Sequence, residues 1–227
     1  MTRGIFVTGT DTGVGKTIVA AALLRGLKSA GGRAVGMKPV AAGLDEGETV
    51  PADSRMLIVA GNVDAPIGDV TPYAFAPPIA PELAARAVGV TIDLDVVAAA
   101  YSRLAAIADA VVVEGAGGVL VPLGRATDML DLPARLHLPV LLVVGIRLGC
   151  LNHALLSALA IRARGLTLAG WVANRIDPAM REGDANVSAL TERLGASPCA
   201  DFAWRDDASS AFAFERAAVR GLGFGSP

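Results

Sequence analysis

Cysteine is nearly absent. Two residues in 227, Cys150 and Cys199, give neither a disulfide framework nor the spacing of a metal finger, and they fit a reducing cytoplasm. Histidine is equally scarce: His137 reads as a helix-end residue before Leu138-Pro139, and His153 has no carboxylate at a spacing that suggests acid–base work, so both read as structural. Positive charge is not in excess, since 20 Lys and Arg against 22 Asp and Glu give a net charge of −2. That balance excludes the basic field a nucleic acid or an anionic membrane would need. Long hydrophobic runs are missing too. Although 53% of the residues are hydrophobic, stretches such as Leu138 to Ile146 are strand-length, well short of the roughly twenty residues of a membrane helix. No charged-then-apolar leader precedes the first strand, and no linker or internal repeat divides the chain, so one domain over 1–227 is expected. Segment 42–53, rich in Gly, acidic residues and Pro, reads as a mobile loop between elements.

What the chain does have is alternation. Apolar runs at Ile5–Val7, Ala34–Met37, Ala110–Val113, Val140–Gly145 and Leu168–Ala173 read as strands. Stretches with helical spacing lie at Lys16–Ala30, Asp53–Ala60, Leu94–Ala108, Leu151–Arg164 and Val187–Arg193, and most are stopped by glycine. Further extended pieces are expected at Thr71–Phe75, before the prolines 77, 78 and 81, and at Cys199–Ala203. This order predicts an α/β fold, a mainly parallel sheet of about seven strands with helices on both faces.

Between the first strand and the first helix lies Gly9-Thr-Asp-Thr-Gly-Val-Gly15-Lys16-Thr17. Small residues let backbone N–H groups and a helix N-terminus face phosphates, Lys16 reaches the terminal phosphates, and the Thr17 hydroxyl suits magnesium. Five residues separate Gly9 from Gly15 where the common pattern has four, so Gly13, Gly15, Lys16 and Thr17, in a strand–loop–helix context, carry the match to a nucleoside triphosphate site.

Ligands of open parallel sheets gather at the carboxyl ends of the strands. The second strand leaves through Lys38-Pro39-Val40, an ammonium at the rim, and the third through Glu114-Gly115-Ala116-Gly117-Gly118, a carboxylate opposite Thr17 followed by flexible backbone. The fourth leaves through Arg147-Leu148-Gly149-Cys150-Leu151-Asn152 into a helix whose first amides suit a carboxylate. Asp53 is either a helix N-cap or a second acidic ligand. The fifth leaves through Asn174-Arg175-Ile176-Asp177, where a carboxamide can pair with a purine edge.

These exits, in this order, resemble dethiobiotin synthetase, with Glu114-Gly-Ala-Gly-Gly118 and Leu148-Gly-Cys-Leu-Asn-His153 as the specific runs, over residues 5 to about 177. The resemblance implies a P-loop NTPase-like fold and an ATP-dependent ligase of biotin biosynthesis. It would close a cyclic urea from 7,8-diaminononanoate and CO2 through a carbamate and a carbamic-phosphoric anhydride, releasing ADP and phosphate. It implies Lys38, Lys16 and Thr12 at the reacting groups, and Mg2+ on Thr17, Asp53 and Glu114. ATP would lie on Gly13, Val14, Gly15, Lys16, Thr17, Ile18, Asp53, Glu114, Gly115, Ala116 and Gly117, with Asn174, Ala203, Trp204 and Arg205 on the adenine side. The diamine would meet Thr12, Lys38, Ala42, Gly118, Cys150, Leu151 and Asn152, the last three across a homodimer interface. Ala42 stands where the family often has a hydroxyl, and Gly13 where some members have a glutamate.

Other readings remain. A related P-loop synthetase acting on a corrinoid would usually need a glutaminase domain, for which there is no room. A GTP-using ligase is suggested by Asn174-Arg-Ile-Asp177, which imitates a guanine reader. A partition-type regulatory ATPase would carry a lysine where this chain has Asp11.

Overall fold

The computed structural model describes residues 3–45, 47–204, 214 and 216–224. In chain order the elements are β1 (Arg3–Gly9), α1 (Lys16–Ser29), β2 (Ala34–Met37), β3 (Val40–Ala42), α2 (Ala52–Ala60), α3 (Ile67–Val70), β4 (Tyr73–Phe75), α4 (Pro81–Ala87) and α5 (Leu94–Ile107). There follow β5 (Ala110–Gly118), β6 (Pro122–Gly124), β7 (Thr127–Asp128), α6 (Asp131–Leu136), β8 (Val140–Ile146), α7 (Cys150–Ala163), β9 (Leu168–Arg175), α8 (Gly183–Leu194), β10 (Ala200–Phe202) and α9 (Arg216–Gly221).

Six strands form one sheet in the order β10-β9-β8-β1-β5-β2, and every pairing in it is parallel. Period-2 alternation divides the core: Ile5 and Val7 face one layer with α1, α2 and α9, while Phe6 faces the other with α5, α6, α7 and α8. Strands covered on both faces are apolar throughout, which is why β8 is buried at every position. Among the described residues the main sheet has six strands where about seven were expected. The expected strand near Thr71–Phe75 forms, as β4, but pairs with β3 in a small separate sheet. Pro39 explains the break: it has no N–H to continue the β2 ladder, and its carbonyl instead accepts from Tyr73 N–H at 3.1 Å.

Two further departures bear on function. β5 does not end at Val113; it continues through Gly118, with Val7 opposite Glu114 and Gly9 opposite Gly118, so Glu114 lies inside a central strand with its side chain fully buried. The proline cluster conceals α4, whose first residue is Pro81, a position where the missing N–H costs nothing.

β2 and α2 meet through Gly36. A Cβ there would lie 2.6 Å from Leu57 Cβ and 3.0 Å from Leu24 Cδ1. Gly36→Ala is therefore expected to destabilise the fold by about 1–3 kcal/mol through overpacking and to displace the helix that carries Asp53. An unchanged thermal midpoint would show that α2 yields without loss.

Candidate active site

β1 ends at Gly9, and the loop that follows is pinned to the sheet where Thr10 N–H donates to Val143 O at 3.0 Å. Gly15 caps α1 in the left-handed region at φ 87°, and a Cβ there would lie 2.1 Å from Asn174 Nδ2, so both conformation and space require glycine. Lys16 opens α1, almost wholly buried, and its Nζ donates to the Asp11 carbonyl at 2.8 Å. Burial, helped by the neighbouring Lys38 charge, pushes the Lys16 ammonium down to about 8.

Beside it are two carboxylates and a hydroxyl. Thr17 Oγ1 is 3.0 Å from Asp53 Oδ1 and 2.9 Å from Glu114 Oε1, although a hydroxyl has one hydrogen to give. Lys38 Nζ lies 2.6 Å from Glu114 Oε1, 2.8 Å from Asp53 Oδ2 and 3.1 Å from Gly115 O, which occupies all three of its N–H donors. Burial opposes the Lys38 charge, but the Glu114 and Asp53 carboxylates outweigh it and raise its pKa. Burial works against Asp53 as well, and there Lys38 prevails and holds the carboxyl below its usual range. For Glu114 burial dominates and, with the Asp53 charge, raises the pKa; its Oε2 is buried without a hydrogen-bond partner. Among the described residues no group of three or more His, Cys, Asp and Glu is placed to hold a metal ion by itself. The Thr17, Asp53 and Glu114 oxygens, with that orphaned Oε2, nevertheless suit a hard divalent cation that draws its remaining ligands from phosphate and water.

Asp53 sits in the first turn of α2, whose N-cap is Pro51, and its side chain turns to Thr17 and Lys38; the alternative of an N-cap is overturned. The next residue fixes the helix: Ser54 and Thr71 hydroxyls are 2.6 Å apart in the core.

These groups line a cleft of about 680 Å3, within the usual range of ligand sites. Thr12, Gly13, Gly15, Lys16, Thr17, Ile18, Lys38, Ala42, Asp53, Glu114, Ala116 and Gly117 all face it. Gly115 takes part through its carbonyl, and Val14 through its own, which accepts from Asn174 Nδ2 at 2.8 Å. Gly118 borders an adjoining hollow with Thr10, Asp11 and His153. Ala203 and Trp204 are exposed beyond β10, while Arg205 lies outside the described residues. Cys150, Leu151 and Asn152 do not line the cleft of their own chain. The Cys150 N–H donates to Arg147 O at 3.0 Å and its thiol to Asn186 Oδ1 at 3.6 Å, so the open amides at the start of α7 are those of Leu151 and Asn152. Asp177 Oδ1 accepts from Ala179 N–H at 2.9 Å, which makes it a turn residue.

Sequence reasoning assigned no role to the wall formed by Pro78, Ile79, Ala80, Pro81 and Val121, nor to the Arg147–Asp11 ion pair at 2.6 Å. The proline cluster was the available signal for the wall; no local pattern joins positions 11 and 147.

A parallel sheet with a glycine-capped phosphate loop at the end of its central strand defines a P-loop NTPase. The MinC:MinD cell division protein complex of Aquifex aeolicus shares that fold, with a TM-score of 0.57 at 14% identity over 99% of this chain and 98% of that one. Residues 3–210 match a family model described as an AAA domain. The ATP-dependent dethiobiotin synthetase BioD of Nitrosospira multiformis is 54% identical over 194 residues, 86% of this chain and 85% of that protein. The protein of the same name from Aromatoleum aromaticum is 52% identical over 196 residues, 86% and 87% of the two chains. The chain belongs to the dethiobiotin synthetase family.

The lowered Lys16 pKa has a measurable consequence. Below about 8 the ammonium is charged and ready for phosphate; above it, binding must first restore a proton. ADP affinity, measured by calorimetry in EDTA from pH 7 to 9.5, is expected to weaken by up to about tenfold per pH unit above that point. In Lys16→Arg, which stays charged, the profile is expected to be flat. A flat wild-type profile would contradict the assignment.

Proposed function

We propose that this chain is the ATP-dependent ligase that closes the cyclic urea of dethiobiotin from 7,8-diaminononanoate and CO2, and that the reaction takes place in the cleft between Lys16, Lys38 and the phosphate loop. The observation that carries this is the pair of buried ammonium groups in one cleft, Lys16 from the start of α1 and Lys38 from the end of β2, with β5 between β2 and β1. The chemistry brings anions together, which is the task such a pair performs.

One amine of the substrate captures CO2 as a carbamate. A carbamate oxygen then attacks the γ-phosphorus, the bond to ADP breaks, and a carbamic-phosphoric anhydride forms. The second amine attacks the carbonyl carbon, and phosphate leaves with the electron pair. Lys38 faces carbamate and γ-phosphate, Lys16 the terminal phosphates, and Thr12 hydrogen-bonds the carbamate. Magnesium held by Thr17, Asp53 and Glu114 would supply charge neutralisation to the triphosphate. Ring closure asks mainly for proximity, because the second amine belongs to the same molecule as the activated carbonyl. Ala41, Ala42, Pro78, Ile79 and Val121 give the cleft an apolar side suited to the aliphatic chain, and Ala42 makes its contact without a hydroxyl donor.

Assembly as a homodimer is supported by exposed leucines about α7: Leu148 at 92%, Leu156 at 57% and Leu159 at 65% exposure. In that arrangement the start of α7, through Leu151 and Asn152 amides next to Cys150, holds the substrate carboxylate in the second copy's cleft. Two free thiols fit a reducing cytoplasm. ATP is favoured over GTP on the same grounds as the turn at Asp177. With Nδ2 on Val14 O, Asn174 keeps its carbonyl oxygen for the adenine amino group.

Incubation with the diamine, bicarbonate, Mg2+ and ATP should yield a product of the cyclic-urea mass; its absence would sink the reading. Lys38→Gln is expected to lower kcat about a hundredfold or more while nucleotide affinity stays within about threefold, since its work lies in the transition state. Equal losses in both would reduce Lys38 to a binding role. Asp177→Ala is expected to leave the ATP preference as it was, and a GTP preference lost on that substitution would overturn the choice of base.

A further inference from the structure

We propose that Arg147 is a positioning residue that ties the phosphate loop to the carboxylate-binding turn at the start of α7 and so couples the nucleotide in its own cleft to the substrate carboxylate in the second copy's cleft; this rests on the reaction and the homodimer proposed above. Arg147 lies between β8 and α7, and its Nη2 donates to Asp11 Oδ2 at 2.6 Å across 136 residues of sequence. Asp11 is itself a node of the loop. Its Oδ1 accepts from Thr12 N–H at 2.7 Å, and its carbonyl accepts from Lys16 Nζ at 2.8 Å. On the other side the Arg147 carbonyl accepts the Cys150 N–H at 3.0 Å, closing the turn that leaves the Leu151 and Asn152 amides open. One residue therefore connects the donors for the substrate carboxylate to the two residues that meet carbamate and phosphate.

Charge gives the contact a second purpose. A carboxylate in a loop built to hold a triphosphate repels its ligand, and the guanidinium cancels that repulsion without entering the cleft. Arg147 and Asp11 side chains are 40% and 48% exposed, so the pair contributes little to stability. Its contribution is to the orientation and charge of the loop. In a homodimer whose α7 start serves the second copy's cleft, the same link joins one copy's nucleotide to the other copy's substrate. Diamine binding should then tighten nucleotide binding, and the reverse must hold by linkage.

The test uses the full-length protein, calorimetry with a non-hydrolysable Mg-ATP analogue with and without diamine, steady-state kinetics and thermal melts. In the wild type, diamine is expected to tighten nucleotide binding roughly fivefold or more. Arg147→Met should lose that coupling, weaken nucleotide binding and lower kcat about tenfold or more through misplacement of the loop, with an unchanged melting midpoint. Arg147→Lys should restore most of the loss. Adding Asp11→Asn to Arg147→Met should make matters no worse, since there is then no loop charge left to hold. The proposal is overturned if Arg147→Met retains coupling and kcat, or if the two substitutions multiply independently. It is overturned also if only the diamine KM changes while Asp11→Asn is silent, which would place Arg147 directly on the substrate. Should the wild type give no cyclic urea, the reaction reading fails by itself. Nucleotide affinity lost in Arg147→Met and regained in Arg147→Lys would then still support the tie, and unchanged affinity would overturn it.

Discussion

The Lys38 ammonium between Glu114 and Asp53 is the contact on which the site depends. Glu114 is fully buried inside β5, Lys38 follows β2, Asp53 rides on α2, and Thr17 on α1 completes the cluster. Four elements are thereby held at one point. A buried ion pair seldom adds net stability, since two desolvated charges offset much of their attraction, whereas removing one partner strands the other at a cost of about 3–5 kcal/mol. The arrangement is better understood as placing charge. It holds the Lys38 ammonium and the Glu114 carboxylate in low dielectric, with the half-exposed Asp53 beside them, next to a phosphate loop, where fixed charges act far more strongly than in water.

The sheet supplies the rigidity such a cluster requires. β1 and β5 are central and covered on both faces, so the loop after β1 and the glycine run at the end of β5 leave from backbone that cannot shift without disturbing two core layers. Lys38 comes from a strand end, Lys16 and Thr17 from a helix start and Glu114 from within β5, while loops do the rest: Pro78 to Pro81 walls the cleft, and the turn after Ile146 exposes Leu148. Arg175 extends the frame to the β10 edge of the sheet. Its guanidinium pairs with Asp201 at 2.8 Å and Asp184 at 2.6 Å, joining β9 to β10 and α8 just before Ala203 and Trp204.

Much of this was legible in the sequence wherever the signal was local. The phosphate loop announces itself by glycine, Lys16 and Thr17 within one strand–loop–helix unit, and the alternation of apolar runs with glycine-stopped helices specifies the parallel sheet. Local patterns failed where partners are distant. Nothing around Asp53 says whether its carboxylate caps α2 or turns to Thr17, because both uses want the same residue in the first turn. Glu114 looked like a strand exit, since a charge normally ends an apolar strand. It remains within β5 because Lys38 and Thr17, 76 and 97 residues away, compensate it. α4 was hidden by prolines that elsewhere break helices but at Pro81 start one.

Sharing a fold with MinD at 14% identity leaves the use of the phosphate loop undetermined. Partition-type ATPases place an extra lysine in the loop, whereas this chain has Asp11, which by itself would weaken the hold on phosphate. Here the positive charge comes from Arg147 after β8, the strand next to β1. A charge mounted on the loop would act on the nucleotide alone. One mounted between β8 and α7 moves with whatever α7 binds, and that makes the nucleotide's environment depend on the second substrate.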